Sequence, residues 1–273
     1  MGFLKRVPIV LVLAACGLAA GEANAQATLG LAAAGPVNPG NGYPQYYQDR
    51  TGLALAPCLD ITTPGDFCGL LAGGVIPDPT APIVFPTNFP SEFFYWLAKT
   101  TFDLPATAGV LPAAVGPAKG AALTGTLTVK PTAVPLAGGP GGGGGGGGGG
   151  GCGGGGGGGT CAGKVTFILA LEGTFPPPVT VQPNKQIVFA RFRLRITGGL
   201  VPGATYTVTH PYGVQTFLAD PAGTINFTDD QGCLGAPCDF NSVLSTTNAG
   251  PFLAWDSSAP AAPAGFLGDP GVN

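Results

Sequence analysis

The clearest alternation of hydrophobic and polar positions is in "IVFARFRLRI". Successive side chains of a strand point to opposite faces. Val188, Ala190, Phe192, Leu194 and Ile196 therefore share one face, and Arg191, Arg193 and Arg195 share the other. Sliding this strand by one residue would bury three guanidinium groups, so its register is expected to be tightly fixed. "ATYTVTH" follows the same logic, with Tyr206, Val208 and His210 opposite Thr205, Thr207 and Thr209. "KVTFILALEGTF", "VQTFLAD" and "GTINFTDD" add further strands, separated by Pro-, Gly- and Asn-rich turns such as "PPPVTVQPN" and "DPAG". Short strands at this spacing, with no crossover helices, predict an all-β immunoglobulin-like β-sandwich.

The first half is less regular. Residues 26–40, "QATLGLAAAGPVNPG", read as a flexible lead-in to one domain spanning 41–273. "GYPQYYQDRTGLALAPCLD" reads as a first strand region, and "LTGTLTVKP" as another strand. "FPSEFFYWLAKT" predicts the one short helix, with Ser91 as its cap and Phe94, Leu97 and Ala98 at helical spacing.

Composition changes this picture at one place. Gly and Pro number 49 and 29 in 273 residues, a fraction that suggests disorder when evenly spread. The glycines instead concentrate in 138–159, so residues 138–163 are expected to form a disordered insert in an otherwise core-building chain. The tract matches a phosphate-binding loop only up to Lys164, where Val165 replaces the required hydroxyl. It also lacks a Gly-X-Y period. Loop-closure entropy grows slowly with length, about 0.6 kcal/mol per doubling, so the domain can carry such an insert.

The amino terminus carries positive charge in "MGFLKR", a short apolar run, and small residues at Ala23 and Ala25. That is the layout of a signal peptide over 1–25, and it predicts a secreted or periplasmic protein. "LAAC", Leu13 to Cys16, also resembles a lipobox, in which Cys16 would be acylated and would hold the protein at a membrane surface. Either route leaves six cysteines in an oxidising compartment, grouped as Cys58–Cys68, Cys152–Cys161 and Cys233–Cys238. Three local disulfides are expected. No transmembrane segment is expected, because no stretch is long and apolar enough.

The formal charge of −3, with no basic block, excludes nucleic acid as an expected partner. Spacing selects no catalytic residue, metal site or cofactor. His210 precedes a proline at a strand end and reads as structural; no serine lies in G-x-S-x-G. Glu92 and Glu172 with the aspartates could supply a glycosidase pair, but nothing in the sequence picks one. Asp229, Asp230 and Asp239 lack a calcium-loop pattern. Two binding faces remain as candidates: Tyr43, Tyr46 and Tyr47 for stacking on sugars, and Arg191, Arg193 and Arg195 for acidic partners.

The phrases "PGATYTVTHPYGVQTFLAD", "INFTDDQGC…PCDF" and "GPFLAWD…PAAPAGFLGDP" resemble a family of uncharacterised exported bacterial proteins, over residue 41 to the end without the glycine tract. The resemblance implies export, but no activity and no functional residues carry over from it. It also implies chains that continue beyond Asn273, so truncation is expected there. The resulting expectation is a non-enzymatic extracellular or surface binding or structural module, with an unknown extracellular partner or polymer. A carbohydrate-binding or carbohydrate-active domain is the alternative.

Overall fold

The computed structural model describes residues 29–59, 76–78, 80–104, 118–119, 128–133 and 163–254. Its strands are β1 Leu31–Ala34, β2 Tyr47–Asp49, β3 Ala54–Leu55, β4 Glu92–Leu104, β5 Ala118–Lys119 and β6 Thr128–Ala133. They continue with β7 Gly163–Thr174, β8 Ile187–Thr197, β9 Thr205–His210, β10 Gly213–Leu218 and β11 Ile225–Cys233. A single 3-10 turn, Ser242–Ser245, is the only helical element among the described residues. The strands form three sheets, ordered β11-β8-β7-β4-β5, β10-β9-β6 and β1-β2-β3, and every pairing is antiparallel.

Alternation on β8 builds the core as its sequence dictates. Val188, Ala190, Phe192, Leu194 and Ile196 are all fully buried. They pack with Val165, Phe167, Leu169 and Leu171 of β7 against Tyr206 and Val208 of β9 and Phe217 of β10. Phe192 is central, with ring centroids 5.1 Å from Phe167, 5.0 Å from His210 and 6.2 Å from Phe217. Burial of each such side chain contributes about 1.5–3 kcal/mol.

Two expectations are corrected here. The segment "EFFYWLAKT" is not a helix but most of a 13-residue strand, β4, paired with β7 along its length. A bulge between Phe94 and Trp96 inserts one residue into β4. Same-face neighbours on either side of it therefore stand three apart instead of two, as Phe94 and Leu97 do, which imitates helical spacing. The lead-in, for its part, is structured from Leu29 onward. Leu31–Ala34 pairs with β2, and the Gly30 N–H donates to the Gly250 carbonyl.

A buried carboxyl group ties the end of β2 to the segment around residue 252. Asp49, 1% exposed, accepts from the Thr51 and Leu53 N–H groups and the Thr51 hydroxyl on one oxygen. Its other oxygen accepts from the Phe252 N–H at 2.8 Å.

Candidate functional site

The outer face of the five-stranded sheet gathers many of the ionisable groups among the described residues. Residues opposite one another across a ladder share a face. Ladder register places Asp230 opposite Arg191, Thr228 opposite Arg193 and Asn226 opposite Arg195. On the other side of β8, Ala170, Ile168 and Thr166 of β7 face the same three arginines, and Phe189 faces Glu172. Glu92 of β4 stands one step diagonal to Glu172, because it pairs with Thr174.

Arg191 is thereby held by three carboxyl groups. Its Nε and Nη2 donate to the two oxygens of Asp230, both at 2.8 Å, and its Nη1 donates to Glu172 Oε2 at 3.0 Å. Glu92 Oε1 lies 3.9 Å from the same nitrogen. The guanidinium also covers the Phe189 ring at 4.9 Å. Burial disfavours the Arg191 cation, but Asp230, Glu172 and Glu92 outweigh it and raise its pKa. Phe189 belongs to a small apolar cluster with Ile187 and Cys233, supported by Cys238. Cys233 and Cys238 stand as a disulfide pair at the end of β11.

Glu172 is the unusual member. It is 2% exposed, and Gly173 beside it leaves space for the Phe93 ring, which a Cβ would overlap. Burial first, then a hydrogen bond with Glu92, push the Glu172 pKa up to about 9; Arg191 opposes them. At neutral pH Glu172 therefore keeps its proton and donates it to Glu92. Two carboxyl groups sharing one proton is what like charges at close range require. The glutamates are in hydrogen-bond contact, whereas glycosidase carboxyl pairs stand about 5–9.5 Å apart with the scissile bond between them.

The arginine face predicted from the strand pattern is therefore divided. Arg191 is consumed by the acids, Arg193 is half-buried and donates to the Thr228 hydroxyl at 3.3 Å, and Arg195 is exposed. The three tyrosines do not form a stacking face: Tyr43 and Tyr47 are fully buried, and only Tyr46 reaches solvent. Their hydroxyls donate inward, Tyr43 to the Thr174 carbonyl and Tyr47 to the Phe240 carbonyl. Aromatic rings bury more apolar surface than strand ends can offer, so they were drawn into the core.

His210 lies on the inner face between Phe167 and Phe192. Its Nδ1 accepts from the Tyr212 N–H, its Nε2 has no partner, and burial pulls its pKa down to about 4. Asp229 and Asp230 point to opposite faces of β11, and Asp229 is engaged by Gln231 and Asn248. Among the described residues, no group of three or more His, Cys, Asp or Glu side chains is placed to hold a metal ion. An open groove of about 700 Å³ runs between β10 and β11, lined by Val214, Leu218 and Phe227 among others. Its one ionisable group, Asp220, is occupied by Thr224 and the Ala222 N–H.

Cys58 is also disulfide-bonded. Cys16, Cys68, Cys152, Cys161, the signal-like segment and the glycine run lie outside the described residues. Among the described residues no helix is long and apolar enough to cross a membrane. No protein-family model matches the chain, and neither does any curated protein or solved structure.

Proposed function

We propose that the protein is an exported bacterial binding or structural module, non-enzymatic, built on an immunoglobulin-like sandwich and acting in the extracellular space, in the periplasm or at a membrane surface. One observation carries this reading: the histidine and the acids that the sequence offers for catalysis are, among the described residues, largely engaged within the fold. His210 is enclosed by phenylalanines, Glu92 and Glu172 are hydrogen-bonded to each other, and Asp230 is clamped by Arg191. Export is supported by the signal-like amino terminus and by the bonded pair Cys233–Cys238, since disulfides persist in oxidising compartments. The runner-up, a carbohydrate-directed domain, loses its tyrosine platform but keeps the outer sheet face.

Intact mass and thiol titration of native, exported material test this reading together. The expected product begins at Gln26, or at an acylated Cys16, and carries three disulfides with no free thiol. A full-length chain with all seven cysteines titratable as thiols overturns it.

A further inference from the structure

Two successive rows of the outer sheet face, next to the Arg191 row, carry cations without acids. Lys99, Ile168, Arg193 and Thr228 stand in one row across four strands, and Thr101, Thr166, Arg195 and Asn226 in the next. β5 brings Lys119 opposite Lys99 in register. The cross-strand neighbours of Lys99, Arg193 and Arg195 within β7 and β11 are all neutral, and none of the three is ion-paired among the described residues. Lys164, by contrast, has Asp103 opposite it. Adjacent strands are about 4.8 Å apart and same-face residues about 7 Å apart along a strand. Lys99, Arg193 and Arg195 therefore form a triangle roughly 7–12 Å on a side. Burial, Arg191 and Arg195 lower the Arg193 pKa by more than Asp230 and Glu172 raise it.

We infer that this triangle is a docking surface for an anionic polysaccharide, carrying carboxylate or sulfate groups. The inference rests on the binding-module reading above. Guanidinium forks pair bidentately with carboxylates and sulfates. Threonine hydroxyls and the Asn226 amide between the cations suit the neutral hydroxyls of sugars. The two rows run across four strands, a span that fits an extended chain better than a single sugar. Single-stranded nucleic acid is disfavoured, because it needs aromatic platforms for its bases. On this face Phe189 is covered by Arg191, and Phe94 is buried.

Binding of the full chain to polygalacturonate, dextran sulfate, neutral dextran and single-stranded DNA, at low and high salt, tests the inference. Binding to at least one of the two acidic polysaccharides, weakening at least tenfold as salt rises from about 50 to about 300 mM, is expected. Which of the two binds more tightly identifies the acid group. Lys99→Gln/Arg193→Gln/Arg195→Gln should weaken that binding at least tenfold with an unchanged melting temperature. Lys185→Gln, at an exposed site on the β7–β8 loop, should leave it unchanged. No binding to either acidic polymer, equal loss in Lys185→Gln, or DNA bound as tightly as the polysaccharide would each overturn the inference. None of these outcomes alters the thiol and mass results, so the export reading fails or stands separately.

Discussion

Glu172→Gln is expected to match the native protein in stability near pH 5 and to exceed it increasingly as the pH rises. The replacement amide imitates the protonated acid: its oxygen accepts from Arg191 and its nitrogen donates to Glu92. The native glutamic acid holds its proton up to about pH 9 when folded, but releases it near 4.5 when unfolded. Between those values the folded state binds more protons, so its contribution to stability is complete below about 4.5 and falls by about 1.4 kcal/mol per pH unit. His210 works in the opposite sense. Its folded pKa of about 4 lies below its ordinary 6.5, so the unfolded chain binds the extra proton between them and stability rises with pH. From 4.5 to 6.5 the two slopes offset each other, and above 6.5 that of Glu172 is left. Thermal unfolding from pH 5 to 8.5 should therefore show a plateau and then a decline in the native protein. The variant should show no decline above 6.5. Parallel curves for the two proteins would contradict the shared proton.

Arg191→Met should be among the most destabilising single changes on this face, by about 3–5 kcal/mol at pH 7, read from urea or thermal unfolding. Taking one partner from a largely buried ion pair leaves the others uncompensated. Here three carboxyl groups lose the only cation within 4 Å of them among the described residues, and Phe189 loses its cover. Arg191→Lys keeps the charge but not the two-pronged grip on Asp230, so it should fall between the two. Arg193→Met, facing Thr228 and Ile168, should cost less than about 1 kcal/mol. A loss as large as that of Arg191→Met would show that the three arginines are equivalent after all.

In the sequence those three arginines are indeed equivalent: alternate residues of one strand, all facing away from the core. What separates them is the residue that β11 sets opposite each one, aspartate, threonine or asparagine, and that depends on a ladder pairing residues 31 to 39 positions apart. The strands β7 to β11 were legible because their alternation is unbroken and local. β4 was not, because a single bulge shifts its phase, and a phase shift in a strand looks like helical periodicity. Glu92 and Glu172 could be named as a possible pair but not selected. Eighty residues, including the glycine run, separate them, and only the β4–β7 register brings them together. Tyr43 and Tyr47 were misplaced for a related reason. Local sequence shows an aromatic and its hydroxyl, but not the distant carbonyls of Thr174 and Phe240 that make burial of the hydroxyl acceptable.

Neighbouring rows of the outer face thus divide the work: acids and one arginine close on each other around the Arg191 row, and cations unpaired among the described residues stay open in the next two. The proton between Glu172 and Glu92 is the most exacting part of that division. Carboxyl carbon NMR of the glutamates, followed from pH 3 to 10, observes it directly. One glutamate signal that remains in its protonated position through pH 7, and is missing from Glu172→Gln, is the expected result. If every glutamate titrates in the ordinary range near pH 4.5, the Arg191 cluster is no more than a solvated salt bridge.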